Sequence, residues 1–131
     1  FKRANRTVVP SGGRITYTIV LYEETRATLT LTDTIPSPLS YVPASATVVP
    51  AWKGPVQDTD GIHWSGVVTW SQPVTITFQA QVPETTTTWI VVNRAQLSRD
   101  GGTPIERQAT SIVNGFSMYL PALLQNYECC R

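Results

Sequence analysis

Three side chains with chemistry to offer stand where strand alternation expects apolar ones. In "RATLTLTDTI" Ala27, Leu29, Leu31, Asp33 and Ile35 share one face, against threonines on the other. In "WIVVNRAQLS" the apolar face runs through Trp89, Val91, Asn93, Ala95 and Leu97. Lys2 shares a face with Ala4 in the first extended stretch. A buried carboxyl, amide or ammonium is costly unless paired, so three on inward faces are expected to meet. One outcome is a hydrogen-bonded core network. The sharper one uses their reactivity: a desolvated lysine is a neutral nucleophile, an asparagine amide an electrophile, and a nearby carboxyl a proton carrier. Against both stands the plain alternative, in which Lys2 is exposed while Asp33 and Asn93 cap loops.

No other cluster points to a reaction. "DTDG" at 58–61 opens like a calcium loop with Asp58 and Asp60 as ligands, but no acidic residue closes it, and a turn is expected. His63 has no cysteine or histidine at zinc spacing. Ser65 in "HWSG" lacks the glycine spacing of a nucleophile elbow. "PSGG" and "RDGG" read as hairpin turns, not phosphate loops. We therefore expect no enzyme, cofactor or metal. Trp52, Trp64, Trp70 and Trp89 could form a sugar platform, although sandwich cores also use tryptophan. Trp52, beside Lys53 and Gly54, is the candidate for exposure. Asn5-Arg6-Thr7 is a glycosylation sequon and Thr85 to Thr88 a hydroxyl cluster, both short enough to arise by chance.

The elements that position these residues alternate with period two almost throughout. Strands are expected near 2–9, 14–22, 26–33, 45–50, 62–70, 73–82, 88–98 and 105–113, separated by turn signals such as "PSP" and "KGPVQDTDG". One polar face per strand means antiparallel sheets. Seven to eight such strands predict an all-β, immunoglobulin-like antiparallel sandwich over 1–114, with a tail at 115–131.

The order of "FKRANRTVVPSGGRITYTI", "LTLTDTIPSPLSYVPASATV", "IHWSGVV", "VTITFQAQV" and "VNRAQL" resembles a bacterial surface repeat called the conserved repeat domain, domain of unknown function eleven. The likeness covers roughly 1–113. It implies an immunoglobulin-like fold, extracellular placement, a stalk, adhesive or envelope-structural role, and no catalysis. Surface-adhesin sandwiches that resemble this one carry intramolecular isopeptide bonds; the likeness casts Lys2 as nucleophile, Asn93 as electrophile and Asp33 as proton shuttle. The chain departs from the repeat in carrying "YEETRA" after "YTI", in place of Asn-x-Gly, and in showing one copy where tandem modules are usual. Its "MYLPALLQ" is similar to "YLP" tails on secreted proteins of some filamentous bacteria.

Composition narrows the partners. The 131 residues are 41% hydrophobic and 15% charged, with a formal net charge of +1 and no basic run that would bind nucleic acid. No apolar run approaches the ~20 residues that span a bilayer. A Thr-rich, Lys-poor chain beginning at Phe1 suggests a secreted, cell-surface protein whose signal peptide has been removed. In the tail, Met118, Leu120, Ala122 and Leu124 share a face, interleaved by Tyr119, Pro121 and Leu123. Such a segment could add as a strand to a neighbouring copy and build a head-to-tail homopolymer. It could also cover its own sandwich or serve as a sorting signal, and the N-terminal segment could be the exchanged one. Cys129 and Cys130 could form a vicinal disulfide, link chains or stay reduced. The competing role is an adhesive module for cell-surface glycans.

Overall fold

In the computed structural model, residues 1–5, 8–54, 56–85 and 87–113 are described. The expected tail, Met118 to Leu124 with Cys129 and Cys130, lies outside them. Eleven strands form: β1 (Lys2–Ala4), β2 (Val8–Val9), β3 (Arg14–Leu21), β4 (Ala27–Thr34), β5 (Ser40–Tyr41), β6 (Thr47–Val49), β7 (Gln57–Asp58), β8 (Gly61–Val68), β9 (Val74–Gln81), β10 (Trp89–Arg99) and β11 (Ile105–Val113). One sheet runs β1-β3-β9-β5, with β6 also on β9; the other runs β2-β11-β10-β4-β8-β7. All pairs are antiparallel except β2 with β11.

The sandwich follows from the alternation. In β3, Ile15, Tyr17, Ile19 and Leu21 are buried; in β9, Val74, Ile76, Phe78 and Ala80 face the same interior. Ala27, Leu29 and Leu31 of β4 meet them from the second sheet, with Trp64 of β8 filling the space between. Each fully buried Leu, Ile, Val or Phe contributes about 1.5–3 kcal/mol, so the interleaved threonines leave the sheets no other way to face. Trp64 also donates its indole N–H to the Lys53 carbonyl at 2.9 Å, satisfying its polar atom.

The sequence reads 2–9 as one strand, whereas the chain changes sheets inside it. Asn5 ends the first pairing: its N–H reaches the Thr16 carbonyl and its Oδ1 accepts from the Thr16 N–H at 2.7 Å. Val8 and Val9 then join β11 in the opposite sheet. The strand expected to reach residue 70 stops at Val68. Trp70 falls in the turn closed by the Thr69–Gln72 bridge and stands 67% exposed.

Candidate functional site

Lys2, Asp33 and Asn93 arrive from three strands in two sheets. Register with Ile19 on β3 turns Lys2 into the sandwich from one sheet. Asp33 pairs with Ala95 across β4 and β10, so Asn93, two residues along, is its diagonal neighbour on the same inward face. All three are buried, Asp33 and Asn93 completely. Gly61 helps place the carboxyl: a Cβ there would collide with the Asp33 carbonyl oxygen, so only glycine lets β8 approach this closely.

Lys2 Nζ donates to Asp33 Oδ2 at 2.5 Å. The Asn93 amide lies near enough to favour the ionised carboxyl slightly. Yet Asn93 Oδ1, Asn93 Nδ2 and Asp33 Oδ1 are buried and reach hydrogen-bond geometry with no partner among the described residues. Orphaned polar atoms each cost about 1–3 kcal/mol, and three in one place call for an explanation.

Burial pushes the Lys2 ammonium below its usual range, with the Asp33 charge and hydrogen bond pulling it back. Burial likewise pushes the Asp33 carboxyl up, against the pull of Lys2. Both shifts favour passing the lysine's proton to the aspartate, leaving a free amine beside a neutral acid. Lys2 Nζ lies 5.1 Å from the centre of the Tyr17 ring, which packs on Phe78 at 5.5 Å. Tyr17, buried on β3, is thus a wall of this site that the sequence did not single out. Its signal was a tyrosine on an inward face with no polar residue at hydrogen-bonding spacing. Burial and the neighbouring Asp33 raise the Tyr17 pKa, so the phenol stays neutral.

The remaining candidates make contacts of their own. Asp58 accepts from the Tyr41 hydroxyl at 2.8 Å, and the Asp60 carbonyl accepts from the Ile35 N–H, as turn residues do. His63 Nδ1 meets the Thr32 hydroxyl at 3.1 Å on an exposed face. Trp52 is 66% exposed with Lys53 Nζ over its ring at 4.7 Å.

No protein-family description matches the chain, the conserved repeat domain included, and no curated protein matches it either. Solved structures share its fold. The major pilin subunit of Bacillus cereus, BcpA, aligns over 86% of this chain and 38% of its own length, at 15% identity and a TM-score of 0.54. The collagen-binding subdomain of the Enterococcus faecalis surface protein ACE aligns over 88% of this chain and 95% of its own, at 10% identity and a TM-score of 0.50. A family 123 glycoside hydrolase from Clostridium perfringens also aligns, at a TM-score of 0.42, too low to argue from. The chain is thus a sandwich of the kind found in bacterial surface pilin and adhesin domains, spanning well under half of that pilin.

Proposed function

We propose that this chain is a non-enzymatic structural subunit of a bacterial surface fibre, secured internally by a Lys2–Asn93 isopeptide bond and assembled head-to-tail through its terminal segment. The observation that carries this reading is the orphaned Asn93 amide beside a desolvated lysine and carboxyl. With its proton passed to Asp33, Lys2 Nζ attacks Asn93 Cγ. Asp33 protonates the amide oxygen, takes the proton released from Nζ, delivers it to Nδ2 and takes back the oxygen's proton as the carbonyl re-forms. The Nζ–Cγ bond forms, the Cγ–Nδ2 bond breaks and ammonia departs, with no oxidant or external reactant required. The new N–H then faces the carboxyl, and the number of orphaned atoms falls. Such a bond ties β1 to β10, in opposite sheets, which suits a module held under tension.

The fold shared with a pilin subunit supports a fibre outside the cell, and the alternating face of 118–124 supplies a connector, with Cys129 and Cys130 close behind as a lock between chains. Two measurements test the reading. Intact mass should be one ammonia below the sequence mass; an unchanged mass overturns the bond. Electron microscopy of purified full-length protein should show fibres, and a strictly monomeric protein overturns the assembly. A second reading has its own observation: Trp52 and Trp70 are both about two-thirds exposed, as an adhesive module for surface glycans requires. Glycan-array binding that is lost in Trp52→Ala would favour it.

A further inference from the structure

One buried polar group takes no part in the chemistry above. The Tyr17 hydroxyl is buried in the sandwich and, among the described residues, reaches hydrogen-bond geometry with no partner. Asn93 Oδ1 is in the same position. A phenol donates one hydrogen bond and an amide oxygen accepts through two lone pairs, so an unmatched donor and an unmatched acceptor share one interior. Packing alone does not account for the hydroxyl, because a phenylalanine ring would meet Phe78 equally well and leave no polar atom buried.

The registers carry the two groups towards each other. β3 and β10 run in the same direction, each towards the end of the sandwich where the 69–73 turn joins β8 to β9. Tyr17 lies two residues back along β3 from Ile19, the partner of Lys2. Asn93 lies two residues back along β10 from Ala95, the partner of Asp33. From the Lys2–Asp33 contact, which joins the two sheets, both are therefore displaced the same way, one from each sheet. Packed sheets lie about 10 Å apart, and tyrosine carries its hydroxyl at the far end of its ring, towards the opposite sheet. The ring centre is 5.1 Å from Lys2 Nζ.

The geometry points to the Tyr17 hydroxyl as the donor that holds Asn93 Oδ1 while Lys2 Nζ adds to Cγ. The inference rests on the isopeptide reading above and supplies a further catalytic group for it. As Nζ adds, the carbonyl double bond opens and electron density gathers on Oδ1. Asp33 brings a proton to one lone pair; Tyr17 donates a hydrogen bond to the other and keeps its own proton, so the balance of the reaction is unchanged. A donor already fixed in a water-free interior stabilises such an oxygen more than water does. Hydrogen bonds at reacting groups are often long beforehand and tighten as the reaction proceeds, which fits two groups that stand unmatched before it. Burial and the Asp33 charge keep the phenol protonated, as a donor must be.

Tyr17→Phe tests this, since it keeps the ring and removes only the hydroxyl. Ammonia loss from freshly synthesised full-length chain, followed by intact mass, should slow on the order of a hundredfold, the usual loss on removing one oxyanion donor. The pH of fastest reaction should not move, because the phenol stays neutral throughout. The same change is made in Asn93→Ala, where no bond can form and the acceptor is gone; there the urea midpoint should match that of Asn93→Ala alone. A Tyr17→Phe chain that links at the wild-type rate overturns the role of the hydroxyl and leaves the bond standing. So does a shifted pH optimum, which would mean that Tyr17 acts on the proton shared by Lys2 and Asp33. Slow linkage with a lowered midpoint in the Asn93→Ala background overturns it as well, since a loosened core would account for the rate. If the wild-type chain loses no ammonia, the bond itself falls and this donor with it.

Discussion

Asn93 is the residue on which the proposed internal bond depends, and its replacement separates that bond from the ion pair. Asn93→Ala leaves Lys2 and Asp33 in contact but removes the electrophile, so its mass should equal that of the variant sequence, with no ammonia lost. Closing a loop of roughly a hundred residues contributes about 4–5 kcal/mol in the chain-entropy picture, and denaturant unfolding of Asn93→Ala should show a loss of that order. Asp33→Ala should also block the bond, and it leaves a buried ammonium unpaired, a change that costs about 3–5 kcal/mol. The two shifted groups also give bond formation a pH signature. Reaction needs a free amine and a protonated carboxyl together, a state in which the pair holds one proton. Acid adds a second proton and silences the amine; alkali removes the last one and silences the carboxyl. Formation followed by mass in freshly synthesised chain should therefore trace a bell with pH. Asp33→Asn should remove the reaction across the whole range.

At the scale of elements, β1 is the piece the proposed bond would hold. It has three residues, pairs with β3 alone among the described residues, and by Val8 its chain has joined the other sheet. A strand this short opens locally at little cost. In Asn93→Ala the amides of β1, and of Val20, which bonds the Phe1 carbonyl, should exchange with deuterium on the order of tenfold faster or more. Amides between β9 and β3 should change little, because eight register pairs join those strands independently of Lys2. The long strands were legible in the sequence because threonine alternates with Ile, Leu and Val in β3, β4 and β9, and that pattern alone decides which face is buried. The same parity turned Lys2, Asp33 and Asn93 inward. Three things were not legible. The change of sheet between Ala4 and Val8 depends on Asn5 meeting Thr16, a contact between segments that no local pattern encodes. The two-residue strands β5 and β7 exist only because β9 and β8 offer free edges. The outer edge of β11 over 105–108, with which no described strand pairs, has the same origin, since "IERQ" says nothing about whether a neighbour is present.

For the whole molecule, the positions of the linked residues decide how a pull would travel. Lys2 lies at the start of the described chain and Asn93 at the middle of β10, with β11 the one described strand beyond it. Tension entering at residue 1 and leaving after residue 113 would cross from Lys2 Nζ directly to Asn93 and run on through β11. Residues 3–92, including the whole sheet formed by β3 and β9, would carry none of it. Single-molecule extension from those two ends should distinguish the linked from the unlinked protein. The linked chain can lengthen only over residues 94–113, roughly 70 Å at about 3.5 Å per residue. Asn93→Ala has no such shortcut, and its full unravelling should release roughly 390 Å over residues 3–113 by the same measure. A wild-type step near the larger figure would mean that Lys2 and Asn93 are not joined, however closely they lie. A step near the smaller one would mean that the fold keeps its two sheets together under a load that separates only β11 and the part of β10 after Asn93.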